Sequence, residues 1–146
     1  MGWPAAAKGH KLDLLSQPGE EYLGIDVMAF PAQVPRTQAI PKWPMPIAVF
    51  ELENVRERVA YSLWKVLCVR ADLRVVFGYR SDWDQVRAMV RELEEDVIRG
   101  FPTEQWSSLG DQIVLVTGSR GEGDTFPHGY FKLWRLNVAK GRFEKM

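Results

Sequence analysis

The feature that most constrains the fold of this chain is an apolar run, Ile47 to Glu53, that ends in two acidic residues. The run predicts an inner strand buried on both faces. Successive side chains of a strand point to opposite faces, so Glu51 and Glu53 share one face. Two carboxylates side by side at the end of a buried strand are unfavourable unless a positive charge neutralises them. A divalent metal ion and a basic side chain are the two candidates for that charge.

The length and composition of the chain are those of one globular domain. Its 146 residues are 46% hydrophobic and 26% charged, which suits a folded domain with a substantial core. We therefore expect residues 1–146 to form a single domain, with 1–19 as a weakly patterned N-terminal segment. The 19 basic and 19 acidic residues cancel, so the net charge gives no sign of non-specific nucleic-acid binding, and only a local basic patch stays open.

The single cysteine and the absence of long apolar runs bear on the location of the protein. Cys68 has no partner for a disulfide, which suits a reducing cytosol. Its apolar neighbours Val66, Leu67 and Val69 predict a buried packing thiol. No apolar run approaches the roughly 20 residues of a membrane-spanning helix, and the N-terminus lacks a signal-peptide pattern. We expect a cytoplasmic protein without membrane contact.

Hydrophobic periodicity predicts strands and helices in alternation along the chain. The predicted strands are Tyr22 to Phe30, Ile47 to Glu53, Leu73 to Tyr79, Gln112 to Thr117 and Gly129 to Asn137, and the predicted helices are Ala5 to Leu15, Asn54 to Leu67 and Ser81 to Gly100. The strand-helix-strand unit implies a right-handed parallel crossover, and the flanking strands are expected to pair antiparallel. The predicted fold class is α/β, with a central mixed β-sheet flanked by helices.

Local signals give two predicted helix caps and one predicted tail. Asn54, with Glu57 three residues later, has the pattern of a capping box, and Ser81 with Asp84 is interpreted as the cap of the next helix. Lys and Arg dominate the charged residues from position 128 to 146, and this basic run is most simply a solvated tail.

A third acid, Asp26, lies within the first predicted strand of the core. An aspartate there is disfavoured by β-propensity and by burial, so it requires an explanation. Sequential strands are usually neighbours in a sheet, so Asp26 and Glu51 are expected to meet across it. Glu21, just before the strand, is a further candidate. Carboxylates in this arrangement suit Mg²⁺ (or Mn²⁺), which would polarise a phosphate and activate water for phosphodiester hydrolysis.

The order of these acids and elements resembles the PD-(D/E)xK nuclease superfamily, which has the restriction-endonuclease-like fold. The resemblance runs from about Glu21 to Ile98. It rests on Glu21, on Asp26, on the Glu51-Leu52-Glu53 signature, and on the helix and buried strand that follow. It implies that Asp26 and Glu51 bind Mg²⁺, with Glu21 as a further ligand. It also implies that the third signature residue orients or activates the attacking water.

The signature departs from the family pattern at its third position, where Glu53 replaces the usual Lys. Some restriction enzymes carry Glu there, and other families supply the Lys from the adjacent helix, where Lys65 is the candidate for contacting the scissile phosphate. The resemblance thus implies a Mg²⁺-dependent nuclease acting on nucleic acid, with DNA the expected substrate, as a homodimer or in a larger complex. The alternative is a catalytically inactive nuclease-like domain that serves as a nucleic-acid-binding or protein-interaction module in a larger assembly.

The three acids also have an explanation that involves no chemistry. Asp26 could pair with Arg56 or Arg58, and Glu51 and Glu53 could face solvent at a strand end. The interruption of two apolar strands by Asp26 and Glu51 favours the site, which requires both carboxylates to lie within reach of one metal ion.

Overall fold

The fold is built on one mixed β-sheet, seen here in a computed structural model. The structure describes residues 2–10, 12, 22–32, 44–102, 106 and 112–146. Within these ranges the sheet has seven strands, which are β1 (Ala5–Ala7), β2 (Val27–Ala29), β3 (Ala48–Glu53), β4 (Leu73–Arg80), β5 (Gln112–Ser119), β6 (Phe131–Asn137) and β7 (Arg142–Lys145). Two α-helices, α1 (Val59–Leu67) and α2 (Trp83–Leu93), complete the α/β architecture, and a π-helical turn, Glu94–Ile98, extends α2.

The strands lie side by side in the order of the sequence. Strands β3, β4 and β5 are parallel, and the other neighbouring pairs are antiparallel. Helix α1 makes the connection from β3 to β4, and α2 the connection from β4 to β5. The mixed sheet and its parallel crossover are therefore confirmed.

Helices α1 and α2 pack against the same face of the sheet. That face carries Val49 and Val76, which belong to one buried core with Val59, Leu63 and Met89 of the helices. Burial of these apolar side chains supplies the main driving force for docking the helices. The opposite face of β3 is less covered, since Phe50 is half-buried and Leu52 is 53% exposed. Burial of this strand on both faces was therefore a wrong expectation.

Arg74 of β4 forms hydrogen bonds with the C-terminal end of α1. It lies inside an apolar strand and is only 2% exposed. Its Nε donates to the carbonyl oxygens of Val66 and Val69, each at 3.1 Å, and its Nη2 donates to Val69 at 2.9 Å. The last carbonyl groups of a helix have no partner within it, so this guanidinium satisfies them and fixes where α1 ends.

Both predicted helix caps are wrong. Helix α1 begins only at Val59, after a 3-10 turn at Arg56–Arg58, and neither start has a side-chain cap. The cap of α2 is Asp82, whose Oδ1 accepts from the N–H of Gln85 at 2.8 Å. The cap of α2 was predicted one residue too early, because the adjacent polar residues Ser81 and Asp82 both suit a capping position.

The two ends of the described chain also differ from prediction. Ala5–Ala7 form a strand that pairs with β2, so the predicted helix is wrong there, and its residues 13–15 lie outside the described residues. The basic C-terminal run contains β7, in which Phe143 is 6% exposed and its N–H donates to Glu94 at 2.7 Å. A four-residue strand is too short for its alternation to stand out from a charged tail.

Cys68 is exposed, not buried as its sequence neighbours suggest. It follows α1 on the outer side of the helix, one turn beyond Trp64, while Val66 and Leu67 face the core. In the described part of the chain, no helix is both long and apolar enough to cross a membrane.

Candidate active site

The antiparallel pairing of β2 with β3 brings Asp26 and Glu51 together. Val27 is opposite Phe50, and continuing this register by one residue places Asp26 opposite Glu51. The N–H of Asp26 donates to Glu51 Oε1 at 3.2 Å, and the N–H of Leu52 donates to Asp26 Oδ2 at 2.7 Å. Each carboxylate thus accepts a hydrogen bond from the backbone beside the other acid, and the two acids meet as expected. Asp26 lies in a bend just before β2, and Tyr22–Gly24 form a 3-10 turn, so the predicted strand Tyr22 to Phe30 is confirmed only at Val27–Ala29.

Helix α1 adds a lysine to this pair. Lys65 Nζ lies 2.8 Å from Glu51 Oε2 and donates to the carbonyl oxygen of Gly24 at 2.5 Å. The ammonium group also lies 5.7 Å from the ring centroid of Tyr61 on the same helix. The side chain of Lys65 is 20% exposed and that of Glu51 only 4%. We call Asp26, Glu51 and Lys65 the acid–lysine cluster.

The electrostatics of the cluster are dominated by burial. Burial raises the pKa of Glu51 above its ordinary value, and the nearby carboxylate of Asp26 raises it further. The hydrogen bond and charge of Lys65 lower this pKa and so oppose the shift. A second cation beside Glu51 would act in the same direction as Lys65, because it favours the ionised carboxylate.

Glu53 has a local structural contact. Its Oε1 accepts a hydrogen bond from the N–H of Val55 at 2.8 Å, and its side chain is half-buried. This bond lies where the chain leaves β3 for the 3-10 segment, next to Asn54, which was predicted as a helix cap and does not cap either segment. Glu53 shares a face of β3 with Glu51, as alternation requires.

The alternative explanation was that Asp26 pairs with an arginine and that Glu51 and Glu53 face solvent. Two parts of it, the pairing with Arg56 and the exposure of Glu51, are wrong. Arg56 forms its ion pair with Glu92 at 2.8 Å, so it is engaged away from Asp26. Glu51 is 3% exposed and does not face solvent. Glu21, the further metal candidate, lies outside the described residues.

The donor set of the cluster suits a hard divalent cation. Mg²⁺ in proteins is typically held by one or two carboxylates, with water and substrate phosphate filling the remaining positions. Asp26 and Glu51 supply two carboxylates, each hydrogen-bonded to the backbone beside the other acid. In the ranges that the structure covers, there is no group of three or more His, Cys, Asp or Glu that could hold a metal ion. Asp26 and Glu51 therefore fit a metal ion whose remaining ligands are water and substrate.

One residue that positions Lys65 was missed in the sequence. Arg74 binds the end of the helix that carries Lys65, and it had a detectable signal, since a charged residue inside an apolar strand requires a partner, as for Asp26. Tyr61 lies beside the ammonium group of Lys65, as the four-residue spacing of the two side chains on one helix predicts.

Comparisons of the chain with protein-family models, with curated proteins and with solved structures gave no significant match.

Proposed function

We propose that this protein is a divalent-metal-dependent nuclease of the restriction-endonuclease-like type, with the acid–lysine cluster as its active site. The observation that carries the proposal is the environment of Glu51. This nearly fully buried carboxylate accepts a hydrogen bond from the N–H of Asp26, just before the neighbouring strand, and pairs with Lys65 of the following helix. Strand, strand, helix and strand follow in the order that the nuclease resemblance requires.

Asp26 and Glu51 would hold the metal ion in this proposal. A bound Mg²⁺ or Mn²⁺ would polarise the scissile phosphate and lower the pKa of a coordinated water. The reciprocal backbone hydrogen bonds of the two carboxylates fix their orientation before any ligand arrives. Such preorganisation favours the transition state, because no reorientation is needed during the reaction.

Lys65 would take the place of the lysine that the signature lacks at position 53. A lysine ammonium has three N–H donors, and Lys65 directs two of them to Glu51 Oε2 and to the carbonyl oxygen of Gly24. Its third N–H is suited to a phosphate oxygen or to the attacking water. Glu53 then assists from the same face of β3, while its contact with Val55 holds the end of the strand in place.

Nucleic acid, with DNA as the expected form, is the substrate in this proposal. The chain has equal numbers of acidic and basic residues, so substrate affinity needs either a local cationic surface or a second subunit. We propose that the protein acts as a homodimer or within a larger complex, and away from membranes.

A cleavage assay tests the proposal. Labelled DNA and RNA are incubated with Mg²⁺ or Mn²⁺ and with wild type, Asp26→Gln, Glu51→Gln or Glu95→Gln. Loss of a metal-binding carboxylate is expected to lower the rate by about 100-fold or more. Glu95 is an exposed acid on the π-helical turn, so its variant should cleave like wild type. Equal cleavage by all four proteins would indicate a contaminant and rule out the site.

One observation favours the second candidate, a non-catalytic binding module. Lys65 already pairs with Glu51, so the buried carboxylate has a positive partner without a metal ion. A thermal unfolding series with Mn²⁺ separates the two functions. A nuclease site should give a rise in Tm with Mn²⁺ that Glu51→Gln abolishes, whereas a binding module should give equal Tm values with and without metal.

A further inference from the structure

The outer surface of α1 carries two large exposed aromatic side chains. Tyr61 is 58% exposed and Trp64 is 49% exposed. Their rings are stacked, with centroids 5.9 Å apart and an interplanar angle of 29°. Large aromatic rings are usually buried for their apolar area, so an exposed stacked pair points to a binding surface. We call Tyr61 and Trp64 the stacking surface.

The stacking surface begins at the acid–lysine cluster. The ring of Tyr61 lies beside Lys65 Nζ, which is itself paired with Glu51. Tyr61 and Trp64 both border a groove of about 1130 Å³, whose other walls include Arg70, Phe101 and Pro102. A linear ligand that reaches Lys65 can therefore continue across Tyr61 and Trp64 into the groove.

The charge of this helix is complementary to phosphate. Between Arg58 and Arg70 the chain has three cations, Arg58, Lys65 and Arg70, and no acid. All charged residues of this stretch are thus positive, although the whole chain has a net charge of zero. The groove beyond it has one acid in its lining, Asp96. Cations with interleaved aromatic rings are the combination by which proteins hold single-stranded nucleic acid.

We propose that Tyr61 and Trp64 stack on unpaired bases of the substrate strand and present the adjoining phosphate to Lys65. This inference rests on the proposed nuclease function and specifies its substrate class as single-stranded or locally unpaired nucleic acid. In an intact duplex the base faces are covered by their neighbours, so rings on a convex helix cannot stack on them. Unpaired bases expose these faces, and stacking on them is tolerant of sequence.

Binding without cleavage tests the proposal. A fluorescein-labelled single-stranded oligo(dT) and a duplex of equal length are titrated in EDTA with wild type, Tyr61→Ala and Trp64→Ala. Each loss of a ring is expected to weaken single-strand binding about tenfold or more. Tyr61→Phe and Trp64→Phe keep an aromatic face and should bind within a fewfold of wild type. Trp3→Ala is the matched control, because Trp3 is also exposed, at 54%, and should leave affinity unchanged.

Several results would overturn the stacking proposal. The first is that Trp64→Ala binds oligo(dT) with the same affinity as wild type. The second is that wild type binds the duplex more tightly than the single strand, and the third is that wild type does not bind oligo(dT). Loss of self-association in sedimentation, or of binding to phosphatidylserine vesicles, with oligo(dT) affinity unchanged, would instead assign the rings to a protein partner or a lipid surface. Failure of the nuclease proposal is distinguishable. Wild type would then bind oligo(dT) through both rings and cleave nothing when Mg²⁺ is added.

Discussion

Lys65 Nζ lies 2.8 Å from Glu51 Oε2, which joins helix α1 to the strand that precedes it. The positive charge therefore reaches the buried acid from the adjacent helix and not from its own strand. In the proposed nuclease, this cation would replace the lysine that the family carries two residues after the acid, where this chain has Glu53.

Removing the ammonium group should destabilise the protein, because it leaves Glu51 buried without its cation. We expect Lys65→Met to lower the free energy of unfolding by about 2 kcal/mol. This is below the usual cost of breaking a buried ion pair, since Lys65 is partly exposed and Glu51 can take up a proton. Urea unfolding in EDTA measures this change.

The double variant Lys65→Met with Glu51→Gln supplies the control for that measurement. Neutralising the carboxylate as well should recover most of the lost stability, because no uncompensated buried charge remains. Strictly additive effects of the two substitutions would mean that the ion pair is not coupled in solution.

Glu51 should make the stability of the protein depend on pH. Its pKa is raised above 4.5 in the folded state, so the folded protein holds this proton to a higher pH than the unfolded chain does. The stabilising contribution is therefore full below about pH 4.5 and is lost as the pH rises through the raised pKa. The difference in unfolding free energy between wild type and Glu51→Gln should fall from acidic to neutral pH. A rising difference would show that Lys65 outweighs burial.

Gly118 lies where β5 passes closest to two tyrosines. A Cβ atom at this position would lie 2.5 Å from Tyr130 Cε1 and 2.9 Å from Tyr79 Cδ1. Because both rings must then shift, we expect Gly118→Ala to cost about 1–3 kcal/mol in thermal or urea unfolding. Gly123 has open space around its Cα, so Gly123→Ala is the matched control and should change stability little. Equal stability of the two variants would contradict the packing.

The start of α2 can be tested with two neighbouring residues. Asp82 accepts a hydrogen bond from the N–H of Gln85, and its second oxygen accepts from the Gln85 side chain at 2.8 Å. Asp82→Ala should therefore cost about 1 kcal/mol of stability. Ser81→Ala should stay within about 0.5 kcal/mol, because the hydrogen bonds that Ser81 accepts from the described residues Gly121 and Ser119 go to its backbone oxygen. A larger loss from Ser81→Ala would restore Ser81 as the cap.

The sequence was sufficient for the central architecture and for the meeting of two acids. Alternation places Glu51 and Glu53 on one face, and neighbouring strands bring Asp26 to Glu51, because both follow from the fixed geometry of a sheet. Asp26 stood out since a charged group inside an apolar strand needs a partner. The same argument applies to Arg74, which binds the end of α1.

Other features depend on directions in space that local sequence does not specify. Cys68 has apolar neighbours in the chain, but on a helix the neighbours of a side chain are three and four residues away. Cys68 therefore joins the outer side with Tyr61 and Trp64 and is exposed. The contact of Glu53 with Val55 likewise depends on the direction in which the chain continues after β3. Several polar side chains at this turn can bond to the nearby backbone, so the sequence does not show which of them does.

The order of the strands has a consequence for how the cluster is assembled. Every strand after β1 in the described sheet pairs with the one just before it in the chain, and the three members of the acid–lysine cluster all lie between Gly24 and Lys65. During synthesis the two carboxylates can meet when β3 pairs with β2, and the ammonium group follows with the next helix. The strands from β4 onward are synthesised later, and they pack beside a cluster whose three side chains are already present.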